Sequence, residues 1–125
     1  MIIGVPKEIK NNEYRVGLTP KSISKVTTNG HIVLVENNAG NEIGYSNADY
    51  ERNGEKIINN PEELYKSYEL IVKVKEPLEN EFKYLSKDNI LFTYLHLAGN
   101  KQQSLKLAET GVTGIAYETV TSDEG

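Results

Sequence analysis

The chain has 125 residues, 38% of them hydrophobic and 26% charged, with a net charge of −4; this fits one soluble domain with a workable core and excludes a disordered or fibrous chain. There is no cysteine, and His31 and His96 are its 2 histidines, so disulfides, thiol nucleophiles and thiolate metal centres are excluded and a histidine-built metal site is not expected. The acidic balance, without any lysine or arginine run, speaks against nucleic acid as a partner; with no bilayer-length apolar stretch and no leader-like start, no membrane association is expected and the cytoplasm is the expected compartment.

Met1-Ile2-Ile3-Gly4-Val5 reads as a first strand, stopped by Pro6, and Lys7 to Leu18 is polar and irregular. Thr19-Pro20 predicts a helix start, with Thr19 as cap and Pro20 in the first turn, where its missing N–H costs nothing. Ile23 and Val26 give that helix an inner face, and Gly30 stops it. His31 to Glu36 is a second buried strand, and Asn37 to Gly44 is turn-rich. Ser46 and Asp49 predict a capped short helix ended by Gly54. Lys56-Ile57-Ile58 is a short strand, and Asn60-Pro61-Glu62-Glu63 opens a helix whose apolar side is Leu64, Tyr65 and Tyr68.

Leu70 to Lys75 is an apolar run closed by Glu76-Pro77, the pattern of a buried strand that Pro77 terminates. A short helix is predicted near Glu79–Leu85. The run Ile90 to Ala98 is a further strand, with His96 near its end. Asn100 to Gln103 predicts another capped helix, with Leu105 and Ala108 inward and Gly111 as stop, and Gly114 to Tyr117 is a last strand with Glu118 at its end. Strand and helix alternate, which predicts an α/β fold: a doubly wound, mostly parallel sheet with helices on both faces, Rossmann-like or flavodoxin-like. The chain stops on Ser-Asp-Glu-Gly just after a strand, as expected of a fragment of a longer protein.

Open α/β sheets bind ligands beyond the carboxyl ends of their strands. Lys75 and His96 each close a strand there, and Arg15 lies in the polar segment after the first strand. An arginine fork grips a carboxylate bidentately, a lysine offers a point charge, and an imidazole exchanges protons near neutral pH. The three together predict a site that binds a small carboxylic acid and moves a proton. Lys73 reads as a lysine reaching out to water from its strand, and His31 as structural. No Gly-x-Gly-x-x-Gly and no phosphate-cradling Gly-Lys-Ser/Thr loop occurs, so no cofactor-binding residue is expected within the chain.

Gly4-Val5-Pro6-Lys7-Glu8, Glu13 to Pro20, Val72 to Pro77 and Tyr94 to Ala98 together resemble the amino-terminal part of the alanine dehydrogenase/pyridine nucleotide transhydrogenase family, and the resemblance runs from Met1 to Val120. It implies an enzyme that interconverts L-alanine with pyruvate and ammonia using NAD, commonly a hexamer with two Rossmann-like domains. Residues 1–125 would be its amino-terminal substrate domain. Arg15 and Lys75 would hold the substrate carboxylate and carbonyl oxygen, and His96 would be the acid/base group. NAD would bind to a later domain, which also brings a catalytic aspartate. The transhydrogenase alpha-subunit domain shares the Arg-Val-x-x-Thr-Pro pattern but generally lacks the lysine and histidine. That domain, or a non-catalytic binding or assembly module, is the alternative; saccharopine-type dehydrogenases are more distant.

Overall fold

In the computed structural model, which describes residues 1–9, 12–53, 55–95 and 101–116, each apolar run of the sequence becomes a strand of one sheet. The strands are β1 (Ile2–Val5), β2 (Ile32–Glu36), β3 (Lys56–Ile58), β4 (Leu70–Lys75), β5 (Ile90–Tyr94) and β6 (Thr113–Ala116). Their order is β3-β2-β1-β4-β5-β6, and every neighbouring pair is parallel. The expected doubly wound sheet is therefore wholly parallel. Its order reverses between β1 and β4, the switch point where the first crossover leaves in one direction and later ones in the other.

The helices are α1 (Pro20–Thr28), α2 (Asn47–Glu51), α3 (Pro61–Ser67) and α4 (Lys101–Glu109). Their starts are the expected ones. Thr19 Oγ1 accepts from Ser22 N at 3.3 Å, Ser46 and Asp49 form a capping box, and Asn60 Oδ1 accepts from Glu63 N at 2.8 Å. Gly30 and Gly111 adopt left-handed φ of 88° and 78° just past α1 and α4, where a side chain would be strained.

The sheet buries two faces. Val5, Val33, Val35 and Val72 pack with Ile23 of α1 and Tyr50 of α2. Leu34, Ile71 and Leu91 pack on the other face with Leu64 and Tyr65 of α3. Such valine- and leucine-rich strands suit a sheet covered on both sides. Among the described residues no helix is long and apolar enough to cross a membrane.

The short helix expected near Glu79–Leu85 is a 3₁₀ helix, Glu79–Tyr84, the tighter form suited to a short connection. Three expectations need correction. The strand expected over Ile90 to Ala98 ends at Tyr94, with Leu95 already outside the ladder. Leu105 and Ala108 of α4 are exposed, and Leu107 is the residue that joins the core. The helix is rotated because Gln103 donates to Pro77 O at 3.3 Å, so Gln103 and Leu107, one turn apart, form the inner stripe. Lys73, expected to reach water, is 1% exposed; a strand covered on both faces gives it no route out. Gly54, Asn100, Tyr117 and Glu118 lie outside the described residues.

One buried acid has no partner among the described residues. Glu55, just before β3, is 6% exposed, and neither carboxylate oxygen accepts a hydrogen bond. Burial raises its pKa above the ordinary carboxylate value. A carboxyl raised on folding favours the folded state while protonated, so its cost appears as pH climbs through the unfolded value of about 4.3 and grows up to the folded value. Glu55→Gln should therefore raise the midpoint of thermal unfolding at neutral pH, and the gain should shrink as the buffer is taken down to about pH 4; calorimetry across pH checks this.

Candidate active site

The site begins with a gap in the sheet. β1 pairs with β4 only at Ile3↔Leu70 and Gly4↔Ile71. Pro6 has no N–H to continue the ladder, so the chain leaves the sheet and the carboxyl-terminal half of β4 loses its neighbour on that side. The loop that follows is tied back at two points. Lys7 N donates to Glu36 Oε2 at 2.6 Å, at the end of β2. Burial is the main reason the Glu36 carboxyl titrates above its ordinary range. Glu8 then turns its side chain into the gap beside β4.

Glu8 accepts from three donors there: Lys75 N to Oε1 at 3.0 Å, Val74 N to Oε2 at 3.4 Å and Lys73 Nζ to Oε2 at 3.1 Å. Lys73 Nζ also lies 3.3 Å from Glu81 Oε2. Glu81 in turn accepts Leu78 N at 2.9 Å and the Tyr65 hydroxyl at 3.4 Å. The three charged side chains are at most 7% exposed. They form a buried network of two carboxylates around one ammonium, with neutral donors completing the acids. Burial holds the Tyr65 hydroxyl far above its ordinary pKa, so it stays protonated and can donate.

Beyond Glu8 the loop runs past Asn12, whose φ is 64°, and reaches Glu13 and Arg15. Arg15 Nε donates to Glu13 Oε2 at 2.9 Å and Nη2 to Oε1 at 2.8 Å, and Arg15 N also donates to Oε2 at 3.0 Å. These bonds hold the Glu13 carboxyl below its ordinary range, helped by the charge of Lys75, and they raise the Arg15 pKa. Glu13 is 7% exposed while Arg15 is 62% exposed. The Glu13 carboxylate thus takes the Nε and Nη2 side of the guanidinium, while the Arg15 side chain as a whole stays largely in solvent. The cleft here has a volume of about 270 Å³, and its walls include Lys7, Glu8, Asn12, Glu13, Arg15 and Glu42.

Gly17 fixes how closely this loop approaches the sheet. A Cβ at Gly17 would stand 2.3 Å from Val72 O and 3.2 Å from Lys73 N, far inside van der Waals contact with rigid backbone. Only glycine lets the loop lie against β4. Val16 is buried in the adjoining core, and the Tyr50 hydroxyl donates to Leu18 O at 2.9 Å, so the loop is fastened on both sides of Gly17.

Lys75 ends β4 as expected, half-buried. Its ammonium lies 5.8 Å from the centre of the Tyr94 ring, within reach of a cation–π attraction, and its charge is felt at Glu13. Arg15 and Lys75 both lie at the carboxyl side of the sheet, Arg15 in the loop after β1 and Lys75 at the end of β4. His96 lies outside the described residues. Its chain neighbour Leu95 is buried beside the end of β5. His31 sits before β2, at the opposite end, where its Nδ1 is buried without a hydrogen bond among the described residues.

Sequence reasoning missed Glu8, Glu13 and Glu81. The readable signal was Lys73: a lysine between Val72 and Val74, in a strand covered on both faces, requires a buried acid. Glu8, in the polar segment just past Pro6, was the acid within reach.

Residues 4–125 match the family described as alanine dehydrogenase/PNT, N-terminal domain. The chain belongs to this family. It is 53% identical over 121 residues to the alanine dehydrogenase of Bacillus subtilis (strain 168), covering 97% of this chain and 32% of that protein. A solved structure of an L-alanine dehydrogenase superposes with a TM-score of 0.94 at 45% identity, over 99% of this chain and 34% of that one. A transhydrogenase from Sinorhizobium meliloti superposes with a TM-score of 0.87 at 26% identity, over 97% and 37%. The chain therefore spans about a third of the length of the relatives it matches.

Gly17→Ala should push the loop off β4 and move Arg15 with it. In the complete protein the KM for a small carboxylate substrate should rise by about tenfold or more, since displacements of about 1 Å carry penalties of that order. Steady-state kinetics beside a melting curve checks this.

Proposed function

We propose that this domain is the substrate half of an alanine dehydrogenase, an enzyme that interconverts L-alanine with pyruvate and ammonia. What supports the reading is the company Arg15 keeps. Its guanidinium is braced by the Glu13 carboxylate and lines a cleft beyond the carboxyl ends of β1 and β2, and Lys75 closes β4 at the same side of the sheet. The identity of 53% to an alanine dehydrogenase against 26% to a transhydrogenase favours an amino acid over a second nucleotide as the reducing substrate.

In this reading Arg15 receives the substrate carboxylate. Lys75 stabilises negative charge on the oxygen at C2, a charge that grows as the imine is hydrolysed to the keto acid. His96 takes and returns protons at that carbon's nitrogen and oxygen substituents. The described residues do not suit NAD. In place of a glycine turn leading straight into a helix, the segment after β1 is a long polar loop, and the start of α1 is closed by the Thr19 cap and Pro20. NAD, the hydride acceptor in the family's reaction, would then bind to residues beyond this domain, in an assembly of several copies.

The complete protein should form NADH in proportion to added L-alanine. Lys75→Ala and His96→Ala should each lower kcat by about a hundredfold or more, as for lost electrostatic and acid–base groups. Arg15→Ala should raise the KM for pyruvate by about tenfold or more. Alanine-independent NADH formation, or full turnover in the Lys75→Ala protein, would refute the reading.

A further inference from the structure

β4 and β5 do not keep a regular register. Val72 is opposite Phe92, but the next aligned pair is Lys75 with Tyr94. Three steps on β4 match two on β5, so β4 carries one extra residue, a bulge directly before Lys75. A bulge leaves backbone donors without ladder partners. In a regular strand the N–H groups of Val74 and Lys75 would point to opposite sides. Here both point to the Glu8 carboxylate. On the β5 side, Thr93 Oγ1 donates to Lys75 O at 2.8 Å, which holds the bulge from the other edge.

A regular alternation would also set Lys75 on the face of Lys73, where the buried network already has its ammonium. The extra residue breaks that alternation. We propose that Glu8 is the positioning residue for Lys75: anchored by Lys73, its carboxylate captures the Val74 and Lys75 amides, holds the bulge, and so sets where the Lys75 ammonium stands, over the Tyr94 ring. Glu8 is 7% exposed, and its carboxylate oxygens are taken up by these donors, so it acts on the site through Lys75. This rests on the reading that Lys75 acts in the site. It also accounts for two buried acids around one lysine. Glu81 neutralises Lys73 and accepts Leu78 N, whereas Glu8 is the acid whose oxygens reach the amides of β4.

The stoichiometry suggests the test, made on the complete enzyme. Among the described residues Glu8→Gln leaves Lys73 paired with Glu81, so the buried ammonium keeps an acid. A glutamine presents one oxygen and one NH₂, so it cannot serve donors at both positions. Its kcat with L-alanine should fall about tenfold to a hundredfold, with KM within about threefold, because misaiming Lys75 removes stabilisation felt in the transition state. Glu81→Gln keeps the Glu8 contacts and should stay within about threefold of the parent kcat. Because Glu8 acts through Lys75, adding Glu8→Gln to Lys75→Ala should change kcat by less than about twofold.

An unchanged kcat in Glu8→Gln overturns the proposal, as does an equal loss in Glu81→Gln or an undiminished loss in the Lys75→Ala background. Should Glu8→Gln not fold, Glu8→Asp decides in its place. Its carboxylate is too short to span both amides, so the same kcat loss supports the proposal and parent activity overturns it. Parent turnover in Lys75→Ala alone overturns the reading of the site itself, which none of the other outcomes does.

Discussion

An ammonium buried in a sheet with helices on both sides must find acids or be neutralised, because the Born cost of an unpaired ion is many times the stability of a domain. Lys73 is that ammonium, and much of the carboxyl side of this domain is arranged around it. Glu8 comes to it from the loop after β1, and Glu81 from the 3₁₀ helix after β4. Two segments far apart in sequence are thereby tied to the same strand. The ties are directional, so they fix the path of each segment as well as its proximity.

The topology makes this possible. At the switch point β1 and β4 share only a short stretch of ladder, and the strands' polar edges would stand unsatisfied past it. A side chain supplies what backbone does not: the Glu8 carboxylate fills the place of β1 beside Val74 and Lys75. The Glu13–Arg15 pair stands on the same loop, pressed onto β4 at Gly17. Sheet, loop and buried acids form one piece, in which Arg15 and Lys75 cannot be placed independently.

The elements were legible because their signals are local. Thr19-Pro20, Ser46 with Asp49 and Asn60-Pro61 are capping chemistry that works within one turn, and all of them start helices where expected. Lys75 was legible as the charge that closes β4, and Arg15 as part of the polar segment after β1. What the sequence hid is long-range. Glu8 meets β4 across more than sixty residues, and nothing near position 8 shows which amides it will take. Lys73 was read as a surface lysine because the rule for isolated lysines ignores that a doubly wound sheet closes both faces. Leu105 was read as inward because hydrophobic spacing gives a stripe but not its rotation, which the Gln103 contact to Pro77 sets.

Arg15 and Lys75 differ in how they are held. The Glu13–Arg15 pair has its guanidinium in solvent, whereas the acid and ammonium that secure the Lys75 backbone are sealed from it. Dissolved ions weaken attraction between exposed charges over about 8 Å at physiological strength but scarcely reach buried ones. In a brine, then, the exposed Glu13–Arg15 pair would slacken while the buried ties behind the Lys75 backbone kept their strength, so the loop after β1 and the end of β4 would respond separately to the salinity of the cell.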